Sequence, residues 1–288
     1  MKPKIGFVGM GTMGIPMSHN IAKAEYEVTV YNRSEDKYER VNKDLVAIAP
    51  SLRKLVGAND IIITMLTGPE AIEDTFGSLG KELLLLTDKT VIEMSTISPS
   101  YSLFLRDKLN NVGARYIDAP VSGSLPQAEA GELVVMVSGY EDTFDEVTPL
   151  LKTMGKEVVY CGEVPKASSM KLAVNLLLGI MMEGFAESYN FALKSGLRAE
   201  DYFEVILNGG LAAPLFKGKA DKIKNAEYEH QFALKHLTKD LKFAIDHAYD
   251  TGTDAFATAL NLQLYRKAME MGFADDDMAA VIEVLKGN

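Results

Sequence analysis

The sequence predicts an open, mostly parallel α/β sheet domain followed by an all-α domain, the two joined by one long helix. Three observations carry this prediction. Up to Gly162, short runs rich in Val, Ile and Tyr alternate with amphipathic segments, the pattern of strands connected by crossover helices. A glycine-rich turn, Gly9-Met10-Gly11-Thr12-Met13-Gly14, stands between the first strand run and the first helical run. From Lys166 onward no strand pattern returns, and residues 166–195 contain no proline and are apolar almost all round.

Residues 5–8, 28–31, 61–65, 91–94 and 116–118 read as strands bounded by turn residues, with 133–138 and 157–160 as two more. The helices between them are 13–24, 51–56 with Ser51 as N-cap, 69–76, 100–111 and 141–154. Beyond Gly162 everything reads as helix: 166–195, 199–207, 214–223, 236–251, 255–271 and 276–285, with no internal repeat and no low-complexity linker. At about 1.5 Å per residue, the first of these spans roughly 45 Å, enough to leave one domain and enter the core of another. Met170, Leu172, Val174, Leu176, Leu177, Leu178, Ile180, Met181 and Phe185 spread over all its faces, which predicts a helix buried on every side. The expected domains are 1–165 and 166–288, with 166–195 as the connecting helix.

A chain of 288 residues, 47% apolar and 24% charged, fits about two ordinary globular domains with full cores. Its net charge of −10 argues against nonspecific binding to nucleic acid or to an acidic membrane, yet leaves room for an anionic ligand in a locally positive pocket. The longest nearly unbroken apolar run, 172–182, falls short of the ~20 residues of a membrane span and contains Asn175. Lys2-Pro3-Lys4 before an apolar stretch imitates a signal peptide, but Gly6, Gly9, Gly11 and Gly14 make a poor hydrophobic region. Cys161 is the single cysteine, so no internal disulfide forms and a reducing cytoplasm is the expected compartment.

The glycine turn fits G-x-G-x-x-G in the context that gives the pattern meaning: it follows strand 5–8 and opens a helix. Gly9 permits the tight turn, Gly11 lets backbone N–H groups approach a pyrophosphate, and Gly14 lets helix pack on strand. This makes the first domain a Rossmann-type dinucleotide-binding unit. The second strand ends Tyr31-Asn32-Arg33-Ser34, without the carboxylate that would bind a ribose 2′-hydroxyl and repel a 2′-phosphate. Asn32, Arg33 and Ser34 suit a 2′-phosphate, which favours NADP over NAD; the alternative is that Arg33 is a solvated surface arginine.

Lys171 and Asn175 lie four residues apart, on one face of the long helix, each interrupting apolar neighbours. Lys171 reads either as a surface lysine or as a proton donor facing a ligand. Asp118-Ala119-Pro120-Val121-Ser122-Gly123-Ser124 closes a strand and enters a loop, where Ser122 and the N–H groups around Gly123 could hold a carboxylate or simply form a turn. Ser95-Thr96 occupies the analogous end of strand 91–94. His19, His230, His236 and His247 show no metal-ligand spacing, the Asp246–His247 pair reads as a solvated helix face, and no G-x-S-x-G elbow occurs, so no metal is expected.

Taken in order, these residues resemble the β-hydroxyacid dehydrogenase family, which includes 3-hydroxyisobutyrate dehydrogenases and glyoxylate/succinic semialdehyde reductases. The stretch from Gly9 to Met17 looks like its cofactor loop, Asp118 to Ser124 like its substrate-binding motif, Lys171-x3-Asn175 like its catalytic motif, and Lys239-Asp240-Leu241 like its late lysine–aspartate motif. The resemblance implies that Lys171 is the general acid in aldehyde reduction and the base in reverse, with Asn175 holding lysine and substrate. Ser122, Gly123 and Ser124 would grip the substrate carboxylate with Thr96 and Lys239 nearby, and Phe232 and Asp240 would close the pocket. The cofactor would touch Gly9, Met10, Gly11, Thr12, Met13, Gly14, Asn32, Arg33, Ser34, Met65, Leu66, Thr96 and Lys239. A small aldehyde or hydroxy acid is the expected substrate and a homodimer or homotetramer the expected assembly. Ser124, where many members have glycine, is similar to the glyoxylate and succinic semialdehyde reductase branch, as is Ala128-Glu129-Ala130-Gly131. Ser169 stands where the family often has a second lysine. Imine reductases and noncatalytic dinucleotide-binding modules share the architecture but generally lack the lysine, so Lys171 points away from both.

Overall fold

The structure, a computed structural model, describes residues 2–77 and 79–286. Two compact units share the chain, and their boundary in sequence falls between Lys171 and Leu172.

The first unit runs β1 (Ile5–Val8), α1 (Gly14–Lys23), β2 (Val28–Tyr31), β3 (Ala47–Ile48), α2 (Leu52–Ala58), β4 (Ile61–Thr64), α3 (Pro69–Gly77), β5 (Thr90–Glu93), α4 (Pro99–Asn110), β6 (Arg115–Asp118), β7 (Val121–Ser122), α5 (Leu125–Ala130), β8 (Leu133–Ser138), α6 (Glu141–Leu151) and β9 (Gly155–Gly162). Helix α7 (Lys166–Lys194) then begins in this unit and continues into the next. The sheet order is β3-β2-β1-β4-β5-β6-β8-β7, with β9 beside β8. The six strands from β3 to β6 are parallel, β8 runs antiparallel to β6 and β7, and β9 runs parallel to β8. The order therefore reverses between β1 and β4, the switch point outside which such sheets bind ligands.

Alternation along the strands fills two cores. Ile5, Phe7, Val30, Ile63 and Ile92 pack with Ile15, Met17 and Ile21 of α1. Val8, Ile62, Val91 and Tyr116 pack with Leu55, Ile72, Leu105 and Leu109 on the opposite face. Strands buried on both faces are what a parallel sheet covered by crossover helices requires. Ser51 accepts the Lys54 N–H as the N-cap of α2, as its position before the apolar run implies.

The second unit contains α8 (Ala199–Asn208), α9 (Pro214–Asn225), α10 (Leu234–Thr251), α11 (Phe256–Ala268) and α12 (Ile282–Lys286). Its core is aromatic: the Phe185 and Phe216 rings lie 4.5 Å apart and Tyr189 and Phe203 5.0 Å apart. Gly179 brings α7 close to α10, since a Cβ there would lie 2.9 Å from Leu241. The buried pair Lys219–Asp277, at 2.8 Å, fixes the turn before α10, because Asp277 also accepts the Gln231 and Phe232 N–H groups.

Several expectations need correction. Helix α7 is not buried on every side: Met170 is 47% exposed, Leu177 56% and Phe191 73%. By length and composition alone α7 is long and apolar enough to cross a membrane; Met182, Phe185, Ala186 and Tyr189 lie in the core of the second unit. The Asp118–Ser124 stretch is not all loop, since Val121 and Ser122 pair with β8 as a two-residue strand. Helix 141–154 stops at Leu151, short of the turn into β9. Helix 255–271 ends at Ala268 in a π-turn whose Gly272 has φ +101°, and 276–285 divides into a 3-10 turn, Met278–Val281, and α12. Strands of two residues such as β3 and β7, and the six-residue α5, lack the length for a periodic signal.

Candidate functional site

The site of the first unit grows from the last rung of its sheet. Val8, Thr64, Glu93 and Asp118 are register partners across β1, β4, β5 and β6. Each is followed by a loop that carries residues singled out in the sequence: Gly9 to Gly14, Met65-Leu66, Ser95-Thr96 and Ser122-Gly123-Ser124.

The glycine loop divides its labour. Gly9 has φ +107°, and a Cβ there would sit 2.2 Å from the Met65 carbonyl oxygen, so the loops after β1 and β4 touch at the switch point. A Cβ on Gly14 would sit 1.8 Å from the Gly9 carbonyl oxygen, which closes the turn onto α1. A Cβ on Gly11 would meet nothing within 4 Å. Packing within the protein thus explains Gly9 and Gly14 but not Gly11, whose bare backbone borders open space at the N-terminus of α1. No side chain caps that terminus, so none competes there with an anion drawn to the helix N-terminus. Met10 is buried in the core, and its N–H donates to Asn32 Oδ1 at 2.9 Å. Thr12 and Met13 are half-buried. These residues fit a dinucleotide pyrophosphate, with the N–H groups of the loop as its donors.

After β2, half-buried Asn32 has a structural role: besides accepting the Met10 N–H, its side-chain amide donates to the Ser34 carbonyl at 2.9 Å. Arg33 and Ser34 are exposed. Arg33 Nη1 lies 2.9 Å from Asp74 Oδ2 of α3, a carboxylate that the sequence pattern around Arg33 does not reveal. Both side chains are largely in solvent, where such a pair is worth at most about 1 kcal/mol and can be exchanged for a phosphate. Met65 and Leu66 are half-buried, and the Leu66 N–H donates to Ser95 Oγ at 2.8 Å.

Glu93 organises that region. It is fully buried, accepts Thr64 Oγ1–H at 2.6 Å and Ser95 N–H at 2.8 Å, and burial pushes its carboxyl up to about 7. It thereby sets the chain that leads into half-buried Thr96. A charged residue in the apolar run Val91–Ile92–Glu93–Met94 was the visible sequence signal for it. Asp118, also fully buried, is pushed by burial up to about 6 against the hydrogen bonds of Ser168 and Ser138.

In the Asp118–Ser124 segment, Ser122 is half-buried in β7. Gly123 has φ +134°, and a Cβ there would lie 2.7 Å from Leu133 Cδ2. The Ser124 N–H and hydroxyl both donate to Gln127 Oε1 at 2.9 Å, so Ser124 serves the start of α5. Lys171, 8% exposed, lies in the first two turns of α7.

The second unit supplies a separate polar cluster. Asn175 and Asp240 are buried to about the same degree, and Asn175 Nδ2 donates to Asp240 Oδ2 at 2.7 Å. Asp240 Oδ1 accepts no aligned hydrogen bond, and its charge is met by Lys239 Nζ at 3.0 Å. Lys239 Nζ also lies over the Phe243 ring, 5.1 Å from its centre. Phe232 is half-buried in the turn that Asp277 anchors. Among the described residues no group of three His, Cys, Asp or Glu side chains is placed to hold a metal ion.

Both parts of the chain match known families. Residues 4–162 match the family described as the NAD binding domain of 6-phosphogluconate dehydrogenase, and residues 166–285 match the NAD-binding domain of NADP-dependent 3-hydroxyisobutyrate dehydrogenase. The chain is 34% identical to the chloroplastic glyoxylate/succinic semialdehyde reductase 2 of Arabidopsis thaliana, over 98% of this chain and 79% of that protein. It is 33% identical to the mitochondrial 3-hydroxyisobutyrate dehydrogenase of Mus musculus, over 99% of this chain and 88% of that one. A 3-hydroxyisobutyrate dehydrogenase of Mycobacterium tuberculosis, solved with L-serine, superposes with a TM-score of 0.88 at 27% identity and full coverage of both chains.

Proposed function

The chain belongs to the β-hydroxyacid dehydrogenase family of NAD(P)-dependent oxidoreductases, and from that premise we propose that it reduces short aldehyde acids such as glyoxylate or succinic semialdehyde to hydroxy acids with NADPH. The observation that carries this reading is Lys171, a lysine held almost out of solvent on α7 within a chain whose full length aligns with reductases of this kind.

A nicotinamide cofactor held at the glycine loop would supply the hydride for the carbonyl carbon. Negative charge then develops on the carbonyl oxygen, and the Lys171 ammonium group stabilises it and donates a proton to that oxygen, leaving a hydroxy acid and a neutral amine that recovers its proton from water. Ser122 and the Gly123 N–H bind the substrate carboxylate, with Ser124 setting the end of that turn. Asn175, held by Asp240, belongs to the second unit with Lys239 and Phe232, and their part in substrate binding is what the resemblance to this family implies. The glycine loop binds the pyrophosphate through its N–H groups. Arg33 and Ser34 take the 2′-phosphate, which is the basis for NADPH over NADH.

The protein works as a homodimer or homotetramer in a reducing cytoplasm. Exposed apolar side chains on α7, α8 and α11, among them Phe191, Val205 and Leu260, support the assembly, and sedimentation of a monomer at micromolar concentration would contradict it. The reaction is tested by following cofactor oxidation with glyoxylate, succinic semialdehyde and the semialdehyde of 3-hydroxyisobutyrate, each with NADPH and with NADH. The highest kcat/KM is expected with NADPH and one of the first two. Activity confined to NADH, or to the third substrate, would reject the proposal and favour the dehydrogenase reading.

A further inference from the structure

The start of α7 is held from a distance. Two backbone N–H groups of its first turn, which no helical carbonyl can satisfy, donate instead to side chains of the sheet: Ala167 N–H to Ser138 Oγ at 3.1 Å and Ser168 N–H to Asp118 Oδ2 at 2.9 Å. The Ser168 hydroxyl donates to the other oxygen, Asp118 Oδ1, also at 2.9 Å, and Ser138 Oγ donates to Asp118 Oδ2 at 3.2 Å. Asp118, Ser138 and Ser168 are all within 1% of complete burial.

Three features make this more than an ordinary cap. Asp118 is 50 residues from Ser168, so the carboxylate belongs to the rigid end of β6 and not to the helix it holds. It grips one residue through both oxygens, which fixes rotation about the helix axis as well as position along it. Lys171 follows Ser168 by three residues, less than one turn, so any slippage of the grip is passed to the lysine with little attenuation. A carboxylate at a helix N-terminus also interacts favourably with the helix dipole, which offsets part of the cost of burying it. Burying an ionised group is costly enough that a fold needing only a helix start would be served by a serine or threonine there.

We infer that Asp118 is a positioning residue for Lys171: through Ser168 it sets the azimuth and height at which α7 presents the ammonium group. This rests on the assignment of Lys171 as proton donor. The same carboxylate begins the Asp118–Ser124 segment, so one side chain ties the register of the substrate-binding turn to that of the helix carrying the lysine. A cofactor pyrophosphate meets neither Asp118 nor Ser168 in this scheme.

The test is a cycle of Asp118→Ala and Lys171→Ala, singly and together, with NADPH affinity measured by fluorescence titration and turnover read as product accumulated over hours. Asp118→Ala is expected to lower kcat by about 10–100-fold, as a displaced catalytic group does, with NADPH affinity within about 2-fold of wild type. Asp118→Asn, which keeps an acceptor for the Ser168 N–H, is expected to recover part of that loss. In the Lys171→Ala background the change at 118 should cost less than about 2-fold, because nothing is left to position. Equal losses in both backgrounds, or a loss of NADPH affinity as large as the loss of kcat, would overturn the inference and leave Asp118 a support of the fold. Lys171→Ala with turnover near wild type would overturn the assignment of the lysine itself and the inference with it, a result distinct from equal losses. Should Asp118→Ala fail to fold, Ser168→Ala replaces it in the same cycle, since it removes the bond to Oδ1 and keeps the backbone bond to Oδ2; a smaller loss, again confined to the Lys171 background, is expected.

Discussion

Glu93 and Asp118 are register partners, both fully buried, each carrying a carboxyl raised by loss of water. Their raised values make a testable statement about stability. Between about 4.5 and about 7 the folded Glu93 keeps a proton that the unfolded chain has released, and Asp118 does the same between 3.8 and about 6. More protons bound to the folded state means that stability falls as pH rises through these windows, by up to a few kcal/mol for the two groups together. Above pH 6 only Glu93 contributes. Glu93→Gln is therefore expected to flatten the decline of the thermal midpoint between pH 6 and 7.5; an unchanged slope would show that the carboxyl titrates at its ordinary value. The Thr64 and Ser95 hydrogen bonds, with Asp118 and Tyr116 facing it, are the environment in which that titration occurs. Arg33 supplies a second prediction at this scale. If Arg33 takes a 2′-phosphate as proposed, its partner Asp74 would compete with it, so Asp74→Ala is expected to tighten NADPH several-fold, within the ~1 kcal/mol of an exposed pair, and to leave NADH binding unchanged. Weaker NADPH binding in that variant would mean that Asp74 orients Arg33 and does not restrain it.

At the scale of elements, the glycine turn and α1 form a unit in which three glycines do different things. Gly14→Ala must displace backbone, since its Cβ would stand 1.8 Å from the Gly9 carbonyl oxygen, and a fall in thermal midpoint of several degrees is expected. Gly11→Ala finds open space in the protein alone, so its midpoint should stay within about two degrees while dinucleotide affinity falls at least about tenfold. A Gly11→Ala protein that binds NADPH normally would place the pyrophosphate elsewhere. Helix α7 shows how an element takes its orientation from residues far away in sequence: its start depends on Asp118 and Ser138, and its later turns on the aromatic rings of α8 and α9. Periodicity marked the helix correctly from Lys166 but overstated its burial, because an apolar composition fixes only that a surface seeks a partner and not which surface covers it.

For the molecule as a whole, the sequence was most legible where chemistry and chain order coincide. Strand β1, the turn after it and α1 are contiguous, so the task of each glycine is legible in the local sequence. Lys171 with Asn175 and Lys239 with Asp240 were visible as polar interruptions at helical spacing or in a matching motif. The contacts Arg33–Asp74, Leu66–Ser95, Asp118–Ser168 and Asn175–Asp240 join residues 29 to 65 positions apart. No local pattern encodes such pairs; they exist because a parallel sheet returns its carboxyl ends to one edge and because α7 and α10 pack through Gly179. The enzyme reading nevertheless depends on one of the residues that the sequence did show. It is tested most directly by measuring, in a single preparation of Lys171→Ala, NADPH affinity and the rate of glyoxylate reduction at saturating cofactor. The account predicts unchanged affinity and a rate lowered by about 10²- to 10⁴-fold, the usual contribution of a placed general acid. Unchanged affinity with an undiminished rate would contradict it.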